Sequence, residues 1–220
     1  MIMRVHPITK IELWIAQTAL FSAIGLQFLV WQISPRLVFG PQYVIVAIEI
    51  ALTILLGFTA TKEYYHDNYR VHHNGSILLL ALISIANISS LVLVLSSLVV
   101  GADHLSGYEL LISALAIFLT NIIVFALWYW EIDSPGLTGK RWSRHDKDFQ
   151  FTQQDLGEDY KDWQPRFPDY LYLSVTNAIN FAPADTKPIT TQAKGLMGVQ
   201  ALVSVFTLAL VVARSVSVLG

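Results

Sequence analysis

The sequence predicts an all-α, polytopic membrane protein with five transmembrane helices and one re-entrant helix and loop. Of its 220 residues, 54% are hydrophobic and only 14% are charged, whereas a soluble domain carries about 25% charged residues. The apolar residues are concentrated in stretches of about 20, the length that crosses roughly 30 Å of hydrocarbon. This distribution excludes a soluble enzyme with one buried core, a disordered chain and a fibrous protein. The net charge of −2 gives no reason to expect nucleic-acid binding.

Five apolar segments are long enough to be predicted as spans. Aromatic residues such as Trp31, Tyr43 and Trp130 lie at their edges, as is common at the level of the lipid headgroups. The first segment follows Arg4 and Lys10 but is too long for the apolar core of a signal peptide, so we expect it to be retained in an inner-membrane, multi-pass protein. The predicted spans are residues 11–33, 43–60, 76–100, 110–130 and 195–216.

One long polar connection, residues 131–169, separates the fourth and fifth spans. It carries nine acidic and six basic residues. Aromatic residues are scattered among these charges, which is not typical of a flexible linker. We therefore expect a partly ordered surface segment, whose aromatic residues are Trp142, Phe149, Phe151, Tyr160 and Trp163.

The segment 168–182 is apolar enough to enter a membrane but too short to cross it. Pro168 suits the first turn of a helix, and Asp169 complements the positive end of the helix dipole. Pro183 and Pro188 then stop the helix. A short helix followed by extended backbone predicts a re-entrant loop, and such backbone must be buried in protein or line a water-filled cavity.

Residues 170–214 resemble the pore helix, filter and inner helix of the potassium-channel superfamily. The string LYLSVTNAINFAPADTKPIT lies without gaps against that pattern. Three strings, WYWEID, DYLYLSVTNA and PADTKPIT, also resemble a widespread bacterial family of uncharacterised integral membrane proteins. The residues at the positions that the channel pattern expects are Ser174, Val175, Thr176, Ala178, Asp185, Pro188 and Thr190.

The resemblance implies two membrane domains and an oligomer. Residues 1–105 would form a three-helix amino-terminal domain, and residues 106–220 a pore module whose outer helix is the fourth span. One helix pair and one loop cannot enclose a pore, so several copies must surround it, and the resemblance implies a tetramer. The module would comprise a polar linker (131–167), a pore helix (168–182), a filter-like loop (183–188) and an inner helix (195–216).

The potassium signature itself is missing. A potassium filter uses the backbone carbonyls of Thr-Val-Gly-Tyr-Gly to replace the ion's hydration shell. The aligned string here is Asn180-Phe181-Ala182-Pro183-Ala184. Because alanine stands in place of both glycines and Pro183 fixes φ between them, stacked carbonyl sites are not expected. The resemblance therefore implies a pore architecture without potassium selectivity.

Two groups of residues are candidates for the lining of such a pore. At the end of the re-entrant helix the dipole places about half a negative charge, and the candidate filter residues there are Thr176, Asn177, Asn180, Phe181, Ala182 and Asp185. On the fifth span a polar stripe recurs at helical spacing and would line an inner vestibule; it consists of Gln200, Ser204, Thr207 and Arg214. Alternatively, the two asparagines cap the helix and the stripe joins neighbouring helices.

Glu49 lies inside the second predicted span, where a carboxylate marks a functional site by default. It would bind a cation or relay protons. Alternatively it is protonated, or hydrogen-bonded to Gln17, Gln27 or Asn87 of neighbouring spans. The histidines at 66, 72 and 73 match no defined zinc motif, and no catalytic motif is present. We therefore expect no enzyme, no metal and no cofactor.

The basic residues predict an orientation that conflicts with potassium channels. Counts of Lys and Arg place three segments in the cytoplasm: the amino terminus, the connection that contains Lys62 and Arg70, and the long polar connection between the fourth and fifth spans. The re-entrant loop would then enter from the cytoplasmic side, whereas in potassium channels it enters from outside.

The function predicted is passive conduction of small cations by a homo-oligomer embedded in membrane lipid. One alternative is a secondary transporter that uses Glu49 as its coupling site. The other is a non-conducting membrane protein that reuses the pore fold.

Overall fold

The structure, a computed structural model, describes residues 10–38, 40–60, 69–99, 106–133, 147–157, 160, 163–180 and 185–219. These residues form six α-helices and two short strands, so the predicted all-α class is confirmed. The helices are α1 (Lys10–Ile33), α2 (Gln42–Ala60), α3 (Tyr69–Val99), α4 (Gly107–Asp133), α5 (Phe167–Asn180) and α6 (Thr191–Leu219). The strands are β1 (Phe149–Phe151) and β2 (Thr186–Pro188), and single 3-10 turns lie at Pro35–Leu37 and Thr152–Asp155.

Four of these helices are long and apolar enough to cross a membrane, which makes the chain a multi-pass membrane protein. They contain the candidate spans Ile11–Ile33, His73–Ser97, Gly107–Asp133 and Thr191–Ala213. The apolar part of α2, Gln42–Gly57, is shorter. The remaining helix, α5, has 14 residues, which rise only about 21 Å.

Two helices, α4 and α6, begin earlier than the apolar pattern predicts, because polar side chains cap their first turns. The Thr190 hydroxyl accepts a hydrogen bond from the Ala193 N–H at 3.2 Å, so α6 begins at Thr191 and not at residue 195. Before α4, Ser106 and Glu109 bond to each other's backbone N–H groups at 3.2 and 2.7 Å. This reciprocal capping box starts α4 at Gly107 and not at residue 110.

Helix α4 lies at the centre of the fold. It is 72% buried over its candidate span, whereas the other three candidate spans are 33–39% buried. It packs against α1, α3, α5 and α6, which fits a helix that is apolar on all sides. The main core cluster around it includes Leu20 of α1, Leu56 of α2, Leu79 of α3, Leu173 of α5 and Met197 of α6.

The helix ends alternate between the two ends of the bundle. The carboxyl end of α4 meets the start of α3 through a 2.9 Å contact between Glu131 Oε1 and His73 Nδ1. The start of α1 meets the residue before α5 through Glu12 and Arg166, whose Oε1 and Nε lie 3.9 Å apart. We call this side of the bundle the polar end. The opposite side is closed by an apolar cluster that includes Val30, Leu91 and Leu110.

The two strands pair antiparallel, with Phe149 opposite Pro188 and Phe151 opposite Thr186. Strand β1 belongs to the polar connection, and its two phenylalanines are buried against Tyr129 and Tyr170, with ring centroids 5.2 and 5.3 Å apart. The predicted order of this connection is therefore confirmed for its described residues. The strands themselves were not predicted, because three residues are too few to show a period.

Candidate functional site

Helix α5 begins at the polar end and runs down along α4. At its start the Phe167 ring packs against Trp130, with centroids 5.4 Å apart. Further along, the Ser174 hydroxyl donates to the carbonyl of Ile122 at 2.7 Å, and Ala178 packs against Phe118. The contacts thus shift along α4 by about three turns, or roughly 16–18 Å.

The chain then returns to the end from which α5 started. Thr186 pairs with Phe151 in the sheet at the polar end, and the carbonyl of Asp185 accepts a hydrogen bond from the Thr152 hydroxyl at 2.7 Å. The start of α5 and residues 185–188 are therefore on the same side of the bundle.

A buried network of side chains fixes α5 between α4 and α6, and Gln200 is at its centre. Gln200 Oε1 accepts from the Tyr129 hydroxyl at 2.5 Å and from Asn177 Nδ2 at 2.8 Å. Gln200 Nε2 donates to the carbonyl and the hydroxyl of Ser174 at 3.0 and 2.6 Å. We call Tyr129, Ser174, Asn177 and Gln200 the central network. All four are buried, and together they join the three helices.

The polar stripe of α6 continues this pattern below the central network. Asn121 Nδ2 of α4 donates to the Ser204 hydroxyl at 3.0 Å. Thr207 donates to the carbonyl of Val203 in its own helix at 2.6 Å. Gln200, Ser204 and Thr207 are fully buried. Within one protomer they therefore face neighbouring helices, as in the alternative in which the stripe joins helices.

The remaining predicted pore residues are divided between the protein surface and the undescribed part of the chain. Thr176 is half-buried and donates to the carbonyls of Tyr172 and Leu173 at 3.0 Å. Asp185 is exposed, and its carboxylate accepts from the Tyr172 hydroxyl at 2.9 Å. Outside the described residues lie Phe181, Ala182 and the side chains of Asn180 and Arg214.

The outward faces of α5 and α6 are apolar. Tyr172 and Ile179 of α5 are 55% and 51% exposed, and Leu202 and Phe206 of α6 are 61% and 52% exposed. Sequence spacing identifies which residues share a helix face, but it does not show which face meets a neighbour. The polar stripe therefore did not indicate which side of α6 is open to lipid or to a second copy.

Asp133, at the end of α4, holds the polar end together. Its Oδ1 accepts from the N–H groups of Asp148 and Phe149 at 2.7 and 2.9 Å, and its Oδ2 accepts from the Tyr170 hydroxyl at 2.5 Å. Asp148 in turn accepts from the Thr190 hydroxyl. Burial raises the pKa of Asp148, while that hydrogen bond acts in the opposite direction.

Sequence reasoning missed Asp133 because a carboxylate at a span end is normally assigned to the membrane interface.

Nearby, His73 faces the buried carboxylate of Glu131. The described residues contain no group of three or more His, Cys, Asp or Glu residues placed to bind a metal. His66 and the side chain of His72 lie outside the described residues.

Comparison with known proteins adds no relative. No protein-family model, no curated protein and no solved structure matches the chain. The resemblance to channels therefore depends on the sequence string within residues 170–214 alone.

Glu49 is fully buried in α2, and neither carboxyl oxygen has a hydrogen-bond partner among the described residues. Two of its predicted partners bond elsewhere: Gln27 donates to the carbonyl of Ile83 at 2.9 Å, and Asn87 to that of Ile117 at 3.2 Å. The Gln17 amide packs over Gly57. The predicted hydrogen bond to these residues is therefore wrong. A carboxyl group without partners in apolar surroundings is expected to be neutral.

Glu49→Met should leave the free energy of unfolding unchanged or raise it by about 1–2 kcal/mol, because it replaces an unpartnered polar group with an apolar one of similar shape. Glu49→Gln should stay within about 1 kcal/mol of wild type, since the amide is neutral as well. Thermal and denaturant unfolding in detergent micelles at neutral pH would measure both.

Glu131→Met is the matched control, because it removes a buried carboxylate that does have a partner, His73. It should lower the free energy of unfolding by about 1–3 kcal/mol. A loss of the same size in Glu49→Met would contradict the prediction and imply a bound partner for Glu49.

Proposed function

We propose that the chain assembles as a homo-oligomer, with four copies as the channel resemblance implies, around a passive pathway for small hydrated cations. The observation that supports this most is the course of α5, which descends along α4 before the chain returns to the polar end. Backbone that enters a membrane and turns back is tolerated only inside protein or beside a water-filled cavity. Copies meeting at the loop would provide such a cavity.

The proposal includes a fifth span. Helix α2 has 19 residues, which rise about 28 Å, close to the roughly 30 Å of a hydrocarbon core. It packs between α1 and α3, and its two neighbours run from the polar end to the opposite end. With α2 crossing in the reverse direction, α1–α4 and α6 are five spans and α5 is re-entrant.

The outward faces of α5 and α6 are suited to contact between copies. Gly195 and Gly198 are exposed on α6, and a Cβ added at either would meet no atom within 4 Å. Small residues allow helices of two copies to approach closely in a membrane. Burial of Leu202 and Phe206 against another copy would add packing area beside these glycines.

The central network has a supporting role in this proposal. Its side chains are satisfied within the protomer, so they orient α5 without coordinating the ion. The ion would meet the carboxyl end of α5, which carries about half a negative charge, and the exposed carboxylate of Asp185. Because no stacked carbonyl cage is expected here, cations would keep part of their hydration, and potassium would be preferred over sodium only weakly.

Two measurements test the proposal: the mass of the oligomer in nanodiscs and the reversal potential in planar bilayers under a potassium/sodium gradient. We expect a cyclic oligomer and a permeability ratio within a few-fold of one. Asn180→Ala should change conductance more than Asp185→Asn, since charge near bulk water is screened. Asp155 is an exposed carboxylate in the polar connection, and Asp155→Asn should leave the oligomer mass, the permeability ratio and the conductance unchanged. A monomer, or strong potassium selectivity, would contradict the proposal.

A proton-coupled transporter is the second candidate, and the burial of Glu49 without a described partner favours it. In that case a pH gradient would drive flux in liposomes, and Glu49→Gln would abolish this flux while leaving the fold intact. In the channel proposal the same variant keeps its conductance. Absence of any flux in both assays would instead support a non-conducting protein that reuses the pore fold for assembly or sensing.

A further inference from the structure

A groove of about 590 Å³ lies on the outside of the bundle, between α1, α4 and α5. Its walls include Ile11, Trp14 and Ala19 of α1 and Phe167 and Leu171 of α5. Its volume is in the range of sites that bind small molecules, about 300–1,000 Å³. It is separate from the central network, which is enclosed by α4, α5 and α6.

The groove is apolar in effect, although Thr18 and Ser22 also line it. The Thr18 hydroxyl donates to the carbonyl of Trp14 at 2.8 Å, and the Ser22 hydroxyl donates to that of Thr18 at 2.8 Å. Both hydroxyl protons are thus used within α1. A ligand that lies along these walls needs no hydrogen-bonding groups of its own.

The length of the groove matches one leaflet of a bilayer. Its lining on α1 extends from Ile11 to Ser22, which corresponds to a rise of about 16 Å. Half of a hydrocarbon core is about 15 Å. The groove begins at the polar end, so it follows the leaflet on that side. An extended acyl chain of a lipid in this leaflet has both the length and the apolar surface to occupy it.

A cationic side chain stands at the polar end of the groove. Arg166 directly precedes Phe167, and its side chain is 72% exposed. Its Nε lies 3.9 Å from Glu12 Oε1, which is beyond hydrogen-bond distance. The guanidinium therefore keeps donors for a phosphate, which arginine binds with good geometry. Trp14, 72% exposed, adds an amphipathic ring of the kind found near headgroups.

We propose that this groove is a phospholipid site, with one acyl chain lying along α1 and the headgroup phosphate bound by Arg166. The site depends on the membrane location of the chain and not on ion conduction. It should prefer anionic lipids, because a basic side chain near the membrane surface attracts them by about fivefold.

Native mass spectrometry from a mild detergent, after addition of phosphatidylglycerol or phosphatidylcholine with equal chains, tests the site. Wild type should retain one phosphatidylglycerol per protomer in about fivefold preference to phosphatidylcholine. Arg166→Gln should abolish that preference by lowering phosphatidylglycerol binding more than phosphatidylcholine binding, because the choline group already neutralises the phosphate of phosphatidylcholine. Ala19→Phe, which fills the groove, should reduce binding of both lipids, and Ser22→Leu provides a second obstruction at an exposed position of α1.

Two variants outside the groove are matched controls. Ala51→Phe adds the same ring to an exposed position of α2, and Lys187→Gln removes an exposed positive charge at the polar end; both should bind like wild type. Equal losses in the controls would show ordinary annular lipid and overturn the proposal. Unchanged lipid binding in both groove-filling variants would also overturn it. A change of oligomer mass in those variants, with lipid binding unaltered, would assign the groove to a second copy of the chain.

Discussion

Asp133→Ala is expected to lower the free energy of unfolding by about 3–5 kcal/mol. The change leaves three donors without their acceptor: the N–H groups of Asp148 and Phe149 and the hydroxyl of Tyr170. Phe149 and Tyr170 are fully buried, and Asp148 is only 8% exposed, so water cannot easily replace the lost bonds. Denaturant unfolding in mixed micelles, followed by tryptophan fluorescence, would measure the loss.

Asp155→Ala is the matched control for this prediction. Asp155 is an exposed carboxylate of the same polar connection and accepts from Gln150 Nε2 at 2.6 Å. Its removal should change stability by at most about 0.5 kcal/mol, as for most surface substitutions. Asp133→Asn should lie between the two, because an amide keeps only one accepting oxygen. If Asp133→Ala unfolds like the control, Asp133 does not hold the polar end together.

The parts of the fold that depend on local composition could be predicted from the sequence. A run of about 20 apolar residues predicts a helix that crosses the membrane, because a helix pairs its backbone groups within the same segment. Helices α1, α3, α4 and α6 follow this rule. The start of α5 could also be predicted, because Asp169 is an acidic residue in the first turn; in the structure its carboxylate accepts from the N–H of Arg166 at 2.7 Å.

The parts that depend on distant partners could not be predicted. Asp133 bonds to Tyr170, which lies 37 positions later, and Gln200 bonds to Tyr129, 71 positions earlier. Pairs so far apart in the chain leave no periodic pattern in the local sequence. The same limit applies to Glu49, where the sequence shows an acid in a span but not whether a neighbouring amide reaches it. It also applies to the stripe of α6, whose spacing fits both a vestibule and a helix contact.

Gln200→Leu is expected to lower the free energy of unfolding by about 2–4 kcal/mol. It removes the acceptor of Tyr129 and Asn177 and the donor to Ser174. Individual hydrogen bonds between membrane helices contribute about 0.6 kcal/mol on average, but each buried group left without a partner adds about 1–3 kcal/mol. Asn177 would still donate to the carbonyl of Met197 at 3.1 Å. The loss of stability should therefore be smaller than the sum of the free energies of all the contacts that Gln200 makes.

The matched control is Gln192→Leu, the same substitution at an exposed position of the first turn of α6. It should leave stability unchanged within about 0.5 kcal/mol. A double-mutant cycle with Asn177→Leu isolates the pair. Because the two side chains share one network, the combined loss should fall short of the sum of the single losses by about 0.5–3 kcal/mol. Additive losses would show that Asn177 and Gln200 act independently.

Gln200→Leu also separates the two roles considered for the stripe of α6. Under the proposed channel function, if Gln200 holds α5 in place, stability and single-channel conductance should change together, because the end of α5 moves when its anchor to α6 is lost. If Gln200 lines a vestibule, the leucine should change conductance while unfolding stays close to that of Gln192→Leu. Full burial of Gln200 and its contacts to two other helices favour the first outcome. Conductance altered without loss of stability would contradict it.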